Sequence, residues 1–371
     1  MSSSLSAEQA TSEAPAGHYS RNPGWADAFD TASLKSALRS TDPLAIQVER
    51  YDATCKSEWN CFIAAAKNAT FLFDRDYMDY HSDRFRDHSL VVRQGGRTVA
   101  LLPANLAKPG EVVSHAGLTY GGLLVRQQAT LSDVLVEFSA VLQHLESLGI
   151  RRLLYKRIPR FFSSGPDDEI DHALFALDAR LVRRDCALVV SRDHPLPFRK
   201  GRRSEISKAR RFGVELREER DFAPFWKEVL EPRLLARYAV RPVHTLQEIS
   251  MLASRFPHQI RQFTAYLNHK PVAGATIYET PLVAHVQYSA VTDEGQAAGA
   301  IDGLFGWLIR ERYVDKPYFD FGICNEDEGR TINFGLADWK EGFGARTCVH
   351  DFYEVSVARH RQLEEVLHGR G

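Results

Sequence analysis

The chain has 371 residues, of which 44% are hydrophobic and 26% charged, with a formal net charge of −1. That is a soluble globular composition, long enough for two domains or one large one. Near-zero net charge argues against a general nucleic-acid binder such as a DNA-binding protein, though it leaves room for a local basic patch.

No apolar run is long enough to span a bilayer. The start, "MSSSLSAEQATSEAPAGHYS", lacks the basic end and apolar core of a signal peptide, and its Ser/Ala/Glu/Pro bias predicts a disordered tail over 1–43. The five cysteines (Cys55, Cys61, Cys186, Cys324, Cys348) are odd in number and form no Cys-x-x-Cys pair. This argues against a disulfide scaffold or zinc knuckle and suits a reducing cytoplasm. None of the fourteen histidines shows metal-ligand spacing, so no metal is expected.

"LAIQVERY" alternates like a strand, "SEWNCFIAAAKN" has helical spacing after a serine, and "DRDYMDYHSDRF" predicts a second helix. "SLVVRQGGRTVALLPANL" predicts two strands joined at Gly95-Gly96. "LSDVLVEFSAVLQHLESLGI" is an amphipathic helix stopped by Gly149, followed by the strand "RRLLYKRIP". "DDEIDHALFALDARLVRR" reads as helical and "CALVVSRD" as a strand.

The second half opens on a basic helix, "RKGRRSEISKARRFGV", and two more helices, "FAPFWKEVLEPRLLARY" and "TLQEISMLASRF". A hairpin follows, "QIRQFTAYLNHKPVAGATIYET", turning near Asn268-His269-Lys270, and then the strand "LVAHVQYSAV". "AAGAIDGLFGWLIRERY" is a helix despite three glycines, and "YFDFGI" and "CVHDFYEV" are the last strands. The plan of helices, hairpin, strand, helix and strand therefore occurs once in each half.

That order resembles the Gcn5-related acetyltransferase (GNAT) fold, and two such units in one chain resemble the FemABX-like transferases. "GRRSEISKARRFGVEL", "VAGATIYE" and "FDFGICNEDEGRTINFGLADWKEGFGA" carry the likeness, the last resembling a signature of a branch linked to cell-surface polysaccharide synthesis. The resemblance covers about residues 45 to 355. It implies an α/β fold of two tandem GNAT-like domains, each a mixed central sheet flanked by helices, over 44–192 and 193–358, with a C-terminal tail over 359–371.

In such a fold the fourth and fifth strands splay to admit an acyl donor, and a helix N-terminus faces the donor's phosphates. The candidate loop is "DEGQAAGAIDG", in which Gln296, Gly299, Ala300 and Gly303 would bind acyl-coenzyme A. The family's loop ends in glycine or alanine where this chain has Ile301, and its amino-acid-transferring members use aminoacyl-tRNA instead. The alternative is that these glycines only permit a tight turn.

Arg203 and Arg210 share a face of the basic helix and would grip a diphosphate or a tRNA backbone, or else form a solvated face. Tyr120 and Gly121, in "SHAGLTYGGLLV", resemble the first domain's acceptor cleft, against the alternative of a bulged strand with a half-buried tyrosine. Asp320 and Gly322 lie on the predicted fifth strand, where donor and acceptor meet. Glu326 and Asp327 follow as candidate bases for an acceptor amine, or as an exposed acidic loop. Lys340, in "DWKEGFG", resembles the family's active-site lysine. It would stabilise the oxyanion or hold a phosphate beside Trp339, or else snorkel over Trp339 and Phe343.

The expected activity is N-acyl transfer, acetyl most of all, from acyl-coenzyme A to an amine of a sugar or cell-envelope precursor. Peripheral membrane contact fits such a precursor. The alternatives are aminoacyl transfer from tRNA to a peptidoglycan intermediate and a non-catalytic sugar-phosphate-binding module.

Overall fold

The computed structural model describes residues 45–368, so the tail expected over 1–43 lies outside the described residues. Among the described residues, sixteen strands run in chain order: β1 (Ile46–Arg50), β2 (Leu90–Gln94), β3 (Arg97–Leu102), β4 (Asn105–Lys108), β5 (Glu111–Val113), β6 (Leu124–Val125), β7 (Arg152–Lys156), β8 (Arg180–Ser191), β9 (Glu215–Glu219), β10 (Ile260–Leu267), β11 (Lys270–Glu279), β12 (Val283–Val291), β13 (Tyr318–Ile323), β14 (Asn325–Glu326), β15 (Thr331–Ile332) and β16 (Arg346–Ser356). Ten of them form one mixed sheet in the order β4-β5-β7-β16-β8-β13-β12-β11-β10-β9. A four-stranded sheet, β1-β2-β3-β6, and the short β14-β15 pair complete the set. This is the mixed α/β class that the sequence predicts.

The long sheet runs through both halves of the chain. The final strand, β16, inserts between β7 and β8, pairing antiparallel with each. β8 in turn pairs antiparallel with β13. Strands from before and after residue 193 are thus interleaved.

Two contacts in this sheet are parallel. β5 pairs with β7 from Glu111↔Arg152 to Val113↔Leu154, and β12 pairs with β13 from Val283↔Tyr318 to His285↔Asp320. Each pairing stops after three residues, and the strands then separate.

The β10–β11 hairpin turns at Asn268 and His269, both with positive φ, as a two-residue turn matched to strand twist requires. The helix Leu131–Ser147 starts with a capping box between Thr130 and Asp133. The basic helix Lys200–Arg211 packs on the helix Ala300–Trp307. Gly303 and Gly306 allow that approach: a Cβ on Gly303 would lie 2.8 Å from Ala209 Cβ, and one on Gly306 2.6 Å from Ile206 Cδ1.

Three boundaries differ from expectation. The helix predicted over 167–184 covers only Glu169–Ala176, because Asp178 takes a left-handed φ of 47° and the chain enters the twelve-residue strand β8. The helix predicted over 74–85 is a single turn, Arg75–Met78, followed by a 3-10 turn. Residues 360–368, expected as tail, form a helix whose Leu363 is fully buried, with the Ser139 hydroxyl donating to the His360 carbonyl at 3.3 Å.

Candidate active site

The two parting points face a common cavity of about 650 Å³. Val113, Leu154 and Lys156 line it from the β5/β7 side, and His285, Phe321 and Gly322 from the β12/β13 side. Arg183 and Asp185 of β8 and His350 and Phe352 of β16 lie between them. Alternation puts each of these pairs on one face, and the register sets Phe352 opposite both Lys156 and Arg183, with His350 opposite Asp185.

On the β13 side, the Asp320 carboxylate is wholly buried and receives two hydrogen bonds. His285 Nδ1 lies 2.7 Å from Oδ2, and the Gly322 amide donates to Oδ1 at 2.7 Å. Burial alone would raise this carboxyl, but the His285 ring against it and His350 nearby hold it below the usual carboxylate range. A carboxylate on Nδ1 fixes the tautomer with the proton there, which leaves His285 Nε2 as the basic nitrogen.

Gly322 takes a φ of 72°, so the chain turns where the strands separate. Its carbonyl and that of Ile323 accept from Lys340 Nζ, at 2.9 and 2.7 Å. Lys340 is only 5% exposed, which overturns the surface-lysine reading. Burial pushes its pKa down to about 8, with Asp320 acting in the opposite direction.

The β7 side repeats the device. Lys156 Nζ donates to the carbonyls of His115, at 3.1 Å, and Leu118. Burial first, and then Arg183, lower it to about 7, with Asp185 opposing. Arg183 holds Asp185 through two bonds of 2.9 and 2.7 Å, and Asn325 donates to the same carboxylate at 2.9 Å. His350 is buried and its pKa lowered by that burial; its Nε2 has no hydrogen-bond partner among the described residues.

A second cavity, of about 700 Å³, adjoins the first and shares Ser289, Leu336 and Trp339 with it. Arg202, Glu205, Arg233 and Arg237 line it, with Gln296 and the start of the helix Ala300–Trp307.

Asp320, Gly322, Trp339 and Lys340 therefore meet at one place, and Gln296 lines the adjoining cavity. Gly299 begins the following helix with a φ of 74°, and Ala300 is fully buried there. A Cβ on Gly299 would lie 2.6 Å from the Glu205 carbonyl oxygen, so the turn packs on the basic helix. Gly303 serves helix packing, as described above.

Glu326 and Asp327 are exposed and line neither cavity; Asp327 and Glu328 both have positive φ. Arg203 and Arg210 are also exposed and line neither; Arg202 is the residue of that helix that turns inward, to pair with Asp302. Tyr120 is buried against Phe162, with its hydroxyl 3.1 Å from Thr70 Oγ1. A Cβ on Gly121 would lie 1.7 Å from the Ser114 carbonyl oxygen, so this glycine lets the two loop backbones approach closely.

Lys156, Arg183, Asp185, His285 and His350 are not among the site residues that the sequence singles out. One signal was available: in "RRLLYK" a lysine closes an apolar strand where burial is expected. Among the described residues, no group of three or more His, Cys, Asp or Glu side chains could hold a metal ion.

No protein-family model matches the chain, and no curated protein does. Solved structures do. FemX superposes with a TM-score of 0.58 at 10% identity, over 82% of this chain and 96% of that one. The C-terminal domain of an assigned lysylphosphatidylglycerol synthetase from Agrobacterium fabrum gives 0.54 at 12% identity, over 85% and 96%. A conserved protein of unknown function from Bacteroides thetaiotaomicron gives 0.55 at 10% identity, over 84% and 99%. At such low identity the likeness is one of fold, and the chain has the FemX-like α/β fold that its sequence predicts.

Proposed function

We propose that the protein is an N-acyltransferase whose acceptor amine enters the 650 Å³ cavity and whose acyl donor reaches it along β12 from the adjoining one. The observation that carries this reading is the His285–Asp320 pair, placed where β12 and β13 separate and open to the cavity. Beyond His285, no strand among the described residues pairs with β12 on its β13 side, which leaves a slot for an extended acyl arm.

His285 Nε2 takes a proton from the acceptor ammonium. The freed amine attacks the acyl carbonyl, the new C–N bond forms, and the bond from the acyl carbon to its leaving group breaks. The leaving group departs with a proton, and Asp320 stabilises the imidazolium meanwhile. Lys340 has one N–H left after its two carbonyl bonds, and it stands at the turn where the oxyanion develops. Positioning and electrostatic stabilisation supply the rate without a covalent enzyme intermediate.

Acyl-coenzyme A is the donor we favour, with Arg202 and Arg233 and the start of the helix Ala300–Trp307 taking its phosphates. The acceptor is an amine of a sugar or cell-envelope precursor, acylated in the cytoplasm. One observation favours aminoacyl-tRNA instead: the Gly299 turn is filled by Glu205, and the Asp302 carboxylate lies in the first turn of the helix.

The test follows thiol release from acetyl-, butyryl- and longer acyl-coenzyme A over a panel of amino sugars and amino acids. Turnover that disappears in His285→Ala supports the reading. Transfer from charged tRNA alone moves the assignment to the second donor. No turnover with either donor makes the chain a binding module.

A further inference from the structure

The β5/β7 side of the cavity has no assigned task in the chemistry above, yet it carries buried charge. Among the described residues, the side chains of Lys156, Arg183 and Lys340 line the cavity, against the lining carboxylate of Asp185 and the Asp320 carboxylate behind His285. With both lysines protonated, three positive charges thus face two negative ones. Arg183 and Asn325 already occupy Asp185, and Asp320 is taken by His285 and Gly322.

Lys156 has no ion pair among the described residues. It is 6% exposed and spends two of its three N–H donors on the carbonyls of His115 and Leu118. An ammonium in that position is costly unless an anion joins it. The cation is set back from solvent across the cavity from His285, where an acceptor would lie.

We infer that Lys156 and Arg183 form an anion subsite, so that the acceptor is an amine bearing a carboxylate or phosphate, its anion on the β7/β8 side and its amine toward His285. This rests on the acyltransferase reading for the identity of the ligand, but not for the anion binding itself. The third N–H of Lys156 and the outer edge of the Arg183 fork supply charge-assisted donors. Asp185 keeps Arg183 from turning away, and Phe352, 4.6 Å below its guanidinium carbon, sets the plane. An anion there also excludes simple uncharged amines, because binding them leaves Lys156 unpaired.

Calorimetric titration of the full chain with inorganic phosphate and with acetate tests this without any acyl donor. One equivalent of acetate is expected, and one of phosphate beyond any taken on the Arg202 and Arg233 side of the adjoining cavity; this equivalent is weakened at least tenfold in Lys156→Met, an apolar replacement of similar length, and unchanged in Arg203→Ala on the outer face. Preference between the two ions separates a phosphate-bearing from a carboxylate-bearing acceptor. Should Lys156→Met fail to fold, Arg183→Gln and the wild-type stoichiometry carry the test. No binding of either ion to the wild type, or equal binding by wild type and variants, overturns the subsite. Anion binding without turnover on any donor would sink only the acyltransferase reading. Conversely, turnover on uncharged amines at the same kcat/KM as on their anionic counterparts would sink only the subsite.

Discussion

Asp320→Asn is the sharpest probe of the proposed chemistry, because it changes one atom at a wholly buried position. The asparagine oxygen can keep the Gly322 amide bond, now 2.7 Å. Its NH₂ then faces His285 Nδ1, which must turn from donor to acceptor. The hydrogen-bond count is conserved, so the stability loss should stay near that of one exchanged bond, about 1 kcal/mol. The tautomer is not conserved: the ring proton moves to Nε2, the atom that must accept one from the amine. Removing a general base costs on the order of 10²–10⁴ in rate, or about 2.7–5.4 kcal/mol of transition-state stabilisation. We therefore expect kcat to fall by at least about a hundredfold while the donor's KM and the melting temperature stay near wild type. The assay pairs steady-state thiol release with a melting curve. An Asp320→Asn enzyme that melts normally and keeps kcat within about threefold refutes the dyad.

Lys340→Met leaves the Gly322 and Ile323 carbonyls without their donor; we expect about 1–3 kcal/mol of lost stability in denaturant titration and a fall in kcat of about 10²–10³. Gly322→Ala should cost about 1–2 kcal/mol from the backbone alone, since the new Cβ would meet nothing nearer than His285 Cε1 at 3.7 Å while φ stays at 72°. Arg203→Ala and Arg210→Ala should shift stability by less than about 0.5 kcal/mol and leave coenzyme A kinetics unchanged; a salt-dependent rise in KM with charged tRNA would point to the other donor. Stability should rise with pH between about 7 and 10. The sign follows from the lysines: unfolded, Lys156 and Lys340 hold their protons until about pH 10.5, whereas folded they begin to lose them near 7 and 8. The unfolded chain thus binds more protons in that window, which gives a slope of at most about 1.4 kcal/mol per pH unit for each lysine. Denaturant midpoints measured across that range for the wild type and Lys156→Met should diverge, and parallel curves would remove Lys156 from the account.

The sequence made the elements legible where periodicity was strong. The hairpin turning at Asn268-His269 and the helix Leu131–Ser147 stand where apolar spacing predicts them. β8 was half lost because its arginines, spaced as on a helix, belong to a strand whose faces line two different environments: Arg183 and Asp185 one side, Arg184 the other. Lys340, Asp320, Gly322 and Trp339 were legible through family likeness and strand alternation. His285, His350 and Lys156 were not, because each acquires its role from a partner distant in the chain. His285 meets Asp320 only through the β12/β13 register, and Lys156 meets the His115 carbonyl only where β5 leaves β7. Glu326 and Asp327 misled for the opposite reason: acidity at a strand end suggests a base, but a left-handed turn at Asp327 and Glu328 carries the loop out into solvent.

The interleaving of strands explains why the site needs the whole chain. β16 comes last in sequence and yet separates β7 from β8, and β8 separates β16 from β13. The cavity bottom is therefore made of strands from before and after residue 193, and neither half closes it alone. Each parting pair of parallel strands exposes main-chain carbonyls, and a buried lysine satisfies them on both sides. A single unit would leave its lysine facing water, where burial could not lower its pKa and a bound anion would compete with solvent. With the two openings facing each other, both lysines are buried instead, at 6% and 5% exposure. On the proposed reading, one lysine then serves the anion of the acceptor and the other the oxyanion of transfer, with His285 between them. Anion binding reports on the β7 side, and the Asp320→Asn rate reports on the β13 side. Because no partner is shared between Lys156 and the His285–Asp320 pair, the two losses in a double variant should add in log kcat/KM to within about 0.5 kcal/mol. A large departure from additivity would mean that one ion network spans the cavity, and that acceptor anion and general base do not act as separate devices.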